Sequence, residues 1–177
     1  MCRYAYKNYK AHYACFDCRK TFKRKNMEDI NGKKQSEKEA RCPQCGQLMA
    51  NMGLDFAAPK MDDVKAWAHI KGLFTVGITF HSCGCSGPGY IPKDNDALRE
   101  HFRSQRTWYE ENLKFWRGHE EPTTEPEAQR DWSKHGEFLA QIPVELRKKR
   151  MSPSNQEAIA YWIERVKDVD ARFQLIR

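Results

Sequence analysis

Apolar residues recur along this chain with two different periods. From Asp94 to Trp116 they return every three to four residues, placing Leu98, Phe102, Gln105, Tyr109, Leu113 and Trp116 on one stripe broken by the glutamine, the pattern of an amphipathic helix. Pro122 and Pro126 stop it within a polar connection over 118–127. A second helix is predicted from Glu127 to Gln141 with Trp132, His135, Phe138 and Leu139 inward, and Pro143 ends or redirects it. A third follows the capping box Ser154-Asn155-Gln156-Glu157 and carries Ile159, Trp162, Ile163, Val166, Val169, Phe173 and Ile176 on one face. Trp108, Trp116, Trp132 and Trp162 knit these helices into a small bundle or pack them on the rest of the chain.

Upstream the pattern shortens. Met61 to Phe74 reads as a helix, started by Asp62 or Asp63, with Val64, Trp67, Ala68, Lys71 and Phe74 three to four apart. Over Thr75 to His81, Val76, Ile78 and Phe80 alternate with Gly77, Thr79 and His81, which predicts a strand. The run from Ser82 to Tyr90, with three glycines and a proline, forces it to turn. Between Asn26 and Ala40 the chain is almost wholly polar, with a turn at Asn31-Gly32, as in a tip loop or a short exposed helix. The fold class that results is α+β.

The chain of 177 residues is long enough for one domain, or for a small module joined to a larger one. Its N-terminus lacks the apolar stretch of a signal peptide, and no run is long enough to span a bilayer, so a soluble cytoplasmic protein with reduced thiols is expected. Cys2, which has no lipoprotein signal before it, reads as an incidental thiol.

Four of the seven cysteines form the pairs Cys15-x-x-Cys18 and Cys42-x-x-Cys45. A CxxC turn aims two thiolates at one point, and two such knuckles complete the tetrahedral S₄ set that Zn²⁺ favours; two disulfides or four unrelated buried thiols are the alternatives. Gly46 stands where a turn around a metal needs positive φ, and Gln47 to Met52 reads as the returning strand of an N-terminal Cys₄ zinc ribbon, with Leu48 and Met52 under the site. A ribbon by itself does not define a function.

Charge is uneven. Residues 1–60 hold 13 Lys and Arg against 6 Asp and Glu, whereas 61–177 hold 18 of each, so the whole formal excess of +7 lies on the cysteine-bearing third. Arg19, Lys20, Lys23, Arg24 and Lys25 follow the first knuckle with Phe22 among them, and Tyr4, Tyr6, Tyr9, Tyr13 and Phe16 lie nearby. Cations interleaved with aromatics suit phosphate contact and base stacking, hence RNA or a ribonucleoprotein; an acidic protein surface, or a merely solvated face, fits the same charges. A second basic run, Arg147-Lys148-Lys149-Arg150, reads as a helix end where cations favour the dipole, with phosphate contact or docking to an acidic surface as the alternative.

His81, Cys83 and Cys85 would share one face of an extended backbone. They are candidates for a second metal site completed by His12, His69 or water, for a reactive dithiol, or for small buried residues in a glycine-rich turn. No glycine-rich phosphate loop, Ser/His/Asp order or paired carboxylates appear, so the sequence leans away from an enzyme.

Taken together, Met1-Cys2-Arg3-Tyr4, Cys15-Phe16-x-Cys18-Arg19-Lys20-x-Phe22-Lys23, Cys42-Pro43-x-Cys45-Gly46, Met52-Gly53-Leu54-Asp55-Phe56 with Pro59-Lys60, and the run from Phe80 through Ser82-Cys83-Gly84-Cys85-Ser86-Gly87-Pro88-Gly89-Tyr90 resemble a family of small, uncharacterised bacterial zinc-ribbon proteins. The resemblance covers residues 1–92 and, less specifically, the helical remainder. It implies a zinc-binding cytoplasmic protein, brings no established activity, and makes the Ser82 to Tyr90 loop part of the ribbon module. The expected organisation is therefore a zinc-ribbon module over 1–92 and a helical region over 93–177.

Overall fold

The computed structural model describes residues 10–25, 40–81, 87–147 and 154–176. The chain divides into two compact units, one of residues 1–98 with 175–177 and the other of residues 99–174.

In the first unit, β1 (Lys10–Cys15), β2 (Lys20–Lys25) and β3 (Ala50–Gly53) form an antiparallel sheet in the order β2-β1-β3. Tyr13 pairs with Phe22 and Cys15 with Lys20, while His12 pairs with Lys23 and Lys10 with Lys25. Alternation sends these two sets to opposite faces. One face carries Tyr13, Cys15 and Phe22 to the cysteine cluster; the other carries Ala14, Ala50 and Met52 into an apolar core with Phe56, Trp67 and Ile70.

That core is closed by α1 (Val64–Thr75), whose N-terminus is capped by the Asp63 carboxylate accepting from the Ala66 N–H at 3.0 Å. Its buried residues are Trp67, Ile70 and Leu73. The predicted stripe is therefore rotated: Val64 is 57% exposed, Ala68 and Lys71 are exposed, and the Phe74 ring lies 5.6 Å from that of Phe16. Two overlapping apolar stripes existed, and the one richer in large aliphatics was buried.

The expectation of a strand over Thr75 to His81 is corrected: no strand forms there. Thr75 ends α1, Gly77 has φ 82°, and the N–H groups of Gly77 and Ile78 return to the carbonyls of Phe74 and Leu73 at 2.9 and 2.8 Å. This is a Schellman cap, and the alternation around Gly77 concealed it. Farther on, Phe80 N–H donates to Met52 O at 2.9 Å and Asp55 N–H to Phe80 O at 3.2 Å, which ties the segment to the end of β3 without a regular strand. Gly53 permits that approach: its φ is 90°, and a Cβ there would stand 2.6 Å from the Phe80 carbonyl carbon.

Among the described residues three more helices follow: α2 (Asn95–Gly118), α3 (Glu125–Leu139) and α4 (Asn155–Gln174), with a 3₁₀ turn at Val144–Leu146. Asp94 caps α2 through the Ala97 N–H at 2.8 Å. In the second unit Leu113, Trp116, Leu139, Ile142, Ala158 and Trp162 form the core. Trp108 packs edge-on against Trp162 at 5.4 Å yet stays 42% exposed. α3 starts two residues before its predicted first residue, because Thr124 and Glu127 make a capping box and Pro126 fits the first turn, where its missing N–H costs nothing. At the other end of α3, the Arg147 guanidinium donates to the Ala140 and Ile142 carbonyls at 2.7 and 2.8 Å and lies over Trp132. The rest of that basic run, Lys148 to Arg150, lies outside the described residues, as do positions 26–39 of the polar stretch.

His119, inside the connection read as merely polar, joins three helices. Its Nε2 lies 2.9 Å from Asp131 Oδ1 and its Nδ1 2.9 Å from Asn155 Oδ1, while its carbonyl accepts from the Asn155 amide. No local motif announces such a long-range junction, so sequence reading passed over it.

Candidate metal centre

Cys15 ends β1, and the turn to β2 brings Cys18 back beside it; Arg19 then takes φ 50° so that β2 can return along β1. The second knuckle has the same design. Gly46 has φ 74°, its N–H donates to Cys42 O at 2.8 Å, and the Cys42 N–H donates to Gln47 O at 2.8 Å. A bridge between Arg41 and Leu48, with Met49 N–H on Ala40 O, closes the loop as a small hairpin.

The two knuckles bring all four sulfurs within 4.8 Å of one another. Cys15 and Cys45 stand 3.6 Å apart, Cys18 and Cys42 3.9 Å. Sulfurs at about 2.3 Å from a tetrahedral ion are about 3.8 Å from each other, so the set fits a metal and, being far outside the covalent S–S distance of about 2.05 Å, contains no disulfide. The four cysteines can thus hold a metal ion.

The polar surroundings prepare the sulfurs unequally. The backbone N–H of Cys45, followed by that of Gln44, points at Cys42 and holds its thiol down to about 7, against an opposing desolvation. At Cys15 burial is the larger effect and pushes the thiol up, although the Cys18 N–H works the other way. Contact with the Cys45 sulfur, then burial, pushes Cys18 up to about 12. Crowded thiols resist ionising together, and a divalent cation among them removes that resistance.

Met49 is the apolar support of this site. It is buried with Cys15 and Cys42, and Tyr13, Phe22 and Ala40 pack around them. The expectation for Leu48 and Met52 is corrected: Leu48 is 56% exposed, and Met52 lies wholly in the core on the opposite sheet face. The alternation of the returning segment could have identified Met49, had its hairpin been placed one residue differently.

The cations predicted as one surface are distributed over several environments. Arg19 Nε donates to Met61 O at 2.8 Å and Arg24 Nη2 to Arg41 O at 2.8 Å, so both brace the backbone. Phe22 packs with the cysteines. Lys20 and Lys23 are exposed and lie on opposite faces of β2 by alternation; Lys25 occupies the Lys23 side of the register. His81 is exposed, with Nδ1 2.9 Å from Thr79 Oγ1, and its predicted companions Cys83 and Cys85 lie outside the described residues. Of the further imidazoles suggested there, His69 Nε2 is 2.9 Å from Pro92 O, and the His12 ring meets Phe56 edge-on. No described helix is long and apolar enough to cross a membrane.

Comparison of the chain with protein-family models, with curated proteins and with solved structures finds no match.

Proposed function

We propose that this chain is a zinc-binding factor that contacts nucleic acid, specifically RNA, through the cationic hairpin built on its metal centre. The observation that carries the reading is the concentration of the entire formal excess of +7 in the first sixty residues, where the hairpin over residues 10–25, anchored by Cys15 and Cys18, holds six Lys and Arg against the single Asp17. An all-sulfur tetrahedral set suits Zn²⁺, which would be held by Cys15, Cys18, Cys42 and Cys45. In that role it supplies folding free energy and requires no open coordination position. The exposed lysines of the hairpin then stand on a fixed backbone, which reduces the ordering entropy lost when they meet phosphates.

A protein-interaction adaptor is the second reading, favoured by one observation: Arg19 and Arg24 are committed to backbone carbonyls and Phe22 to the cysteine cluster, which removes three residues from a ligand-binding role. Titration of single-stranded RNA over a range of salt concentrations decides between them. The RNA reading expects log affinity to fall with log salt by roughly 0.7 per phosphate contacted. Absence of binding at low salt, together with a stable protein complex insensitive to salt, selects the adaptor.

A further inference from the structure

The two faces of the β1–β2 hairpin differ in what their cations have to neutralise. On the cysteine face, Lys20 pairs with Cys15, Arg24 is tied to the Arg41 carbonyl, and Arg41 Nη1 donates to Gly46 O at 3.3 Å beside the second knuckle. Four thiolates around one divalent cation would carry a net charge of about −2, which would give the cations of this face a counter-charge within the protein.

Among the described residues no acidic side chain pairs with the lysines of the opposite face. Lys10 stands directly across from Lys25, and Lys23 lies two residues along on the same side, across from His12. Like charges set opposite one another across strands destabilise the pair. Among the described residues neither Lys10 nor Lys23 has an acidic partner, and both are exposed. Burial along β1 is graded on this side: Ala14 is inaccessible, His12 half-buried and Lys10 exposed, so the lysine end is left open where the apolar core stops. The His12 imidazole is disfavoured as a cation first by burial and then by the nearby Lys23 charge, with a backbone hydrogen bond at Phe56 acting the other way.

Resting on the RNA reading and the zinc centre proposed above, we infer that the phosphate backbone docks on the face bearing Lys10, Lys23 and the register position of Lys25, and not on the face bearing Lys20 and the metal. As diagonal neighbours about 7 Å apart across the two strands, Lys10 and Lys23 form a pair of cations that can meet successive phosphates of one strand.

The test compares the double variant Lys10→Glu/Lys23→Glu with Lys20→Glu by titrating a fluorescent oligouridylate over a salt series, with zinc content measured for each protein. The inference expects the double variant to lose about 1.4 from the salt slope, the value for two single-strand phosphate contacts, while Lys20→Glu retains nearly all of it. A larger loss from Lys20→Glu, with wild type still binding, overturns the face assignment and leaves the RNA reading standing. Wild type with no oligouridylate binding at low salt overturns that reading and the inference with it. A second variant, Lys23→Gln, separates binding from folding. Relief of repulsion should leave the thermal midpoint equal to or above that of wild type while binding weakens; a lowered midpoint with unchanged binding makes Lys23 a structural residue and overturns the assignment.

Discussion

The cysteine end of the first unit and the helical unit are packed differently. Among the described residues Met49, Tyr13, Cys18, Phe22 and Ala40 pack with the buried thiols Cys15 and Cys42, and the strands beneath are six, six and four residues long. The helical unit instead sets two buried tryptophans among Leu113, Leu139, Ile142 and Ala158. A cluster with little apolar surface around it would draw folding free energy from a bound metal ion, whereas a core of large aromatics obtains it from water exclusion.

Breaking the ligand set should therefore have the largest effect. Cys42→Ser is expected to abolish stoichiometric zinc and to disorder the strands, since structural zinc supplies on the order of 10 kcal/mol. Elemental analysis and amide NMR check this; native shifts for Lys10 to Gly53 in the metal-free variant would erase the contrast. The counterpart in the helical unit is Trp162→Ala, expected to cost about 3–5 kcal/mol in denaturant unfolding with zinc content unchanged. Loss of zinc from that variant would show that the two routes are not separate.

Gly53→Ala sharpens the contrast within the first unit. Its Cβ would meet the Phe80 carbonyl at 2.6 Å in a left-handed backbone, so a loss of about 1–3 kcal/mol is expected. Calorimetry of the zinc-loaded protein measures it, and an unchanged midpoint would mean that the segment at Phe80 yields freely.

The smallest effect is confined to the start of α3. The N–H of Thr123, then its hydroxyl and the Thr124 N–H, hold the Glu127 carboxyl below its usual range. A lowered carboxylate pKa stabilises the fold fully above the ordinary carboxylate value, and that contribution is lost as pH falls through the lowered one. Protection of the Thr123 and Thr124 amides, corrected for the slowing of intrinsic exchange in acid, should fall as pH drops below the ordinary glutamate value of about 4.3. Glu127→Gln should remove the pH dependence, and identical behaviour of the two proteins would assign the protection to the helix alone.

The cysteine spacing made the ligand set legible, because two CxxC turns leave little freedom in where the sulfurs go. The α+β class was legible for the same reason, as was the start of α4, where the Glu157 N–H donates to Ser154 Oγ at 3.3 Å and the Ser154 hydroxyl donates to Glu157 Oε2 at 2.7 Å. What escaped was decided by competition or by distance. Beside Trp67, Ile70 and Leu73 won over Ala68 and Lys71, Gly77 served as a helix cap inside an alternating pattern, and His119 found Asp131 and Asn155 across the helical unit. The partition of the basic residues was hidden because charge counts carry no face until a strand register assigns one.

That register has a kinetic consequence. In β1, Cys15 looks toward the other sulfurs while Ala14 looks into the apolar core, so a slip of one residue would turn the ligand inward and present a methyl group to the ion. A metal ion taken up by the four cysteines would therefore be captured only by correctly paired strands, and ligation would act as a ratchet that proofreads strand alignment.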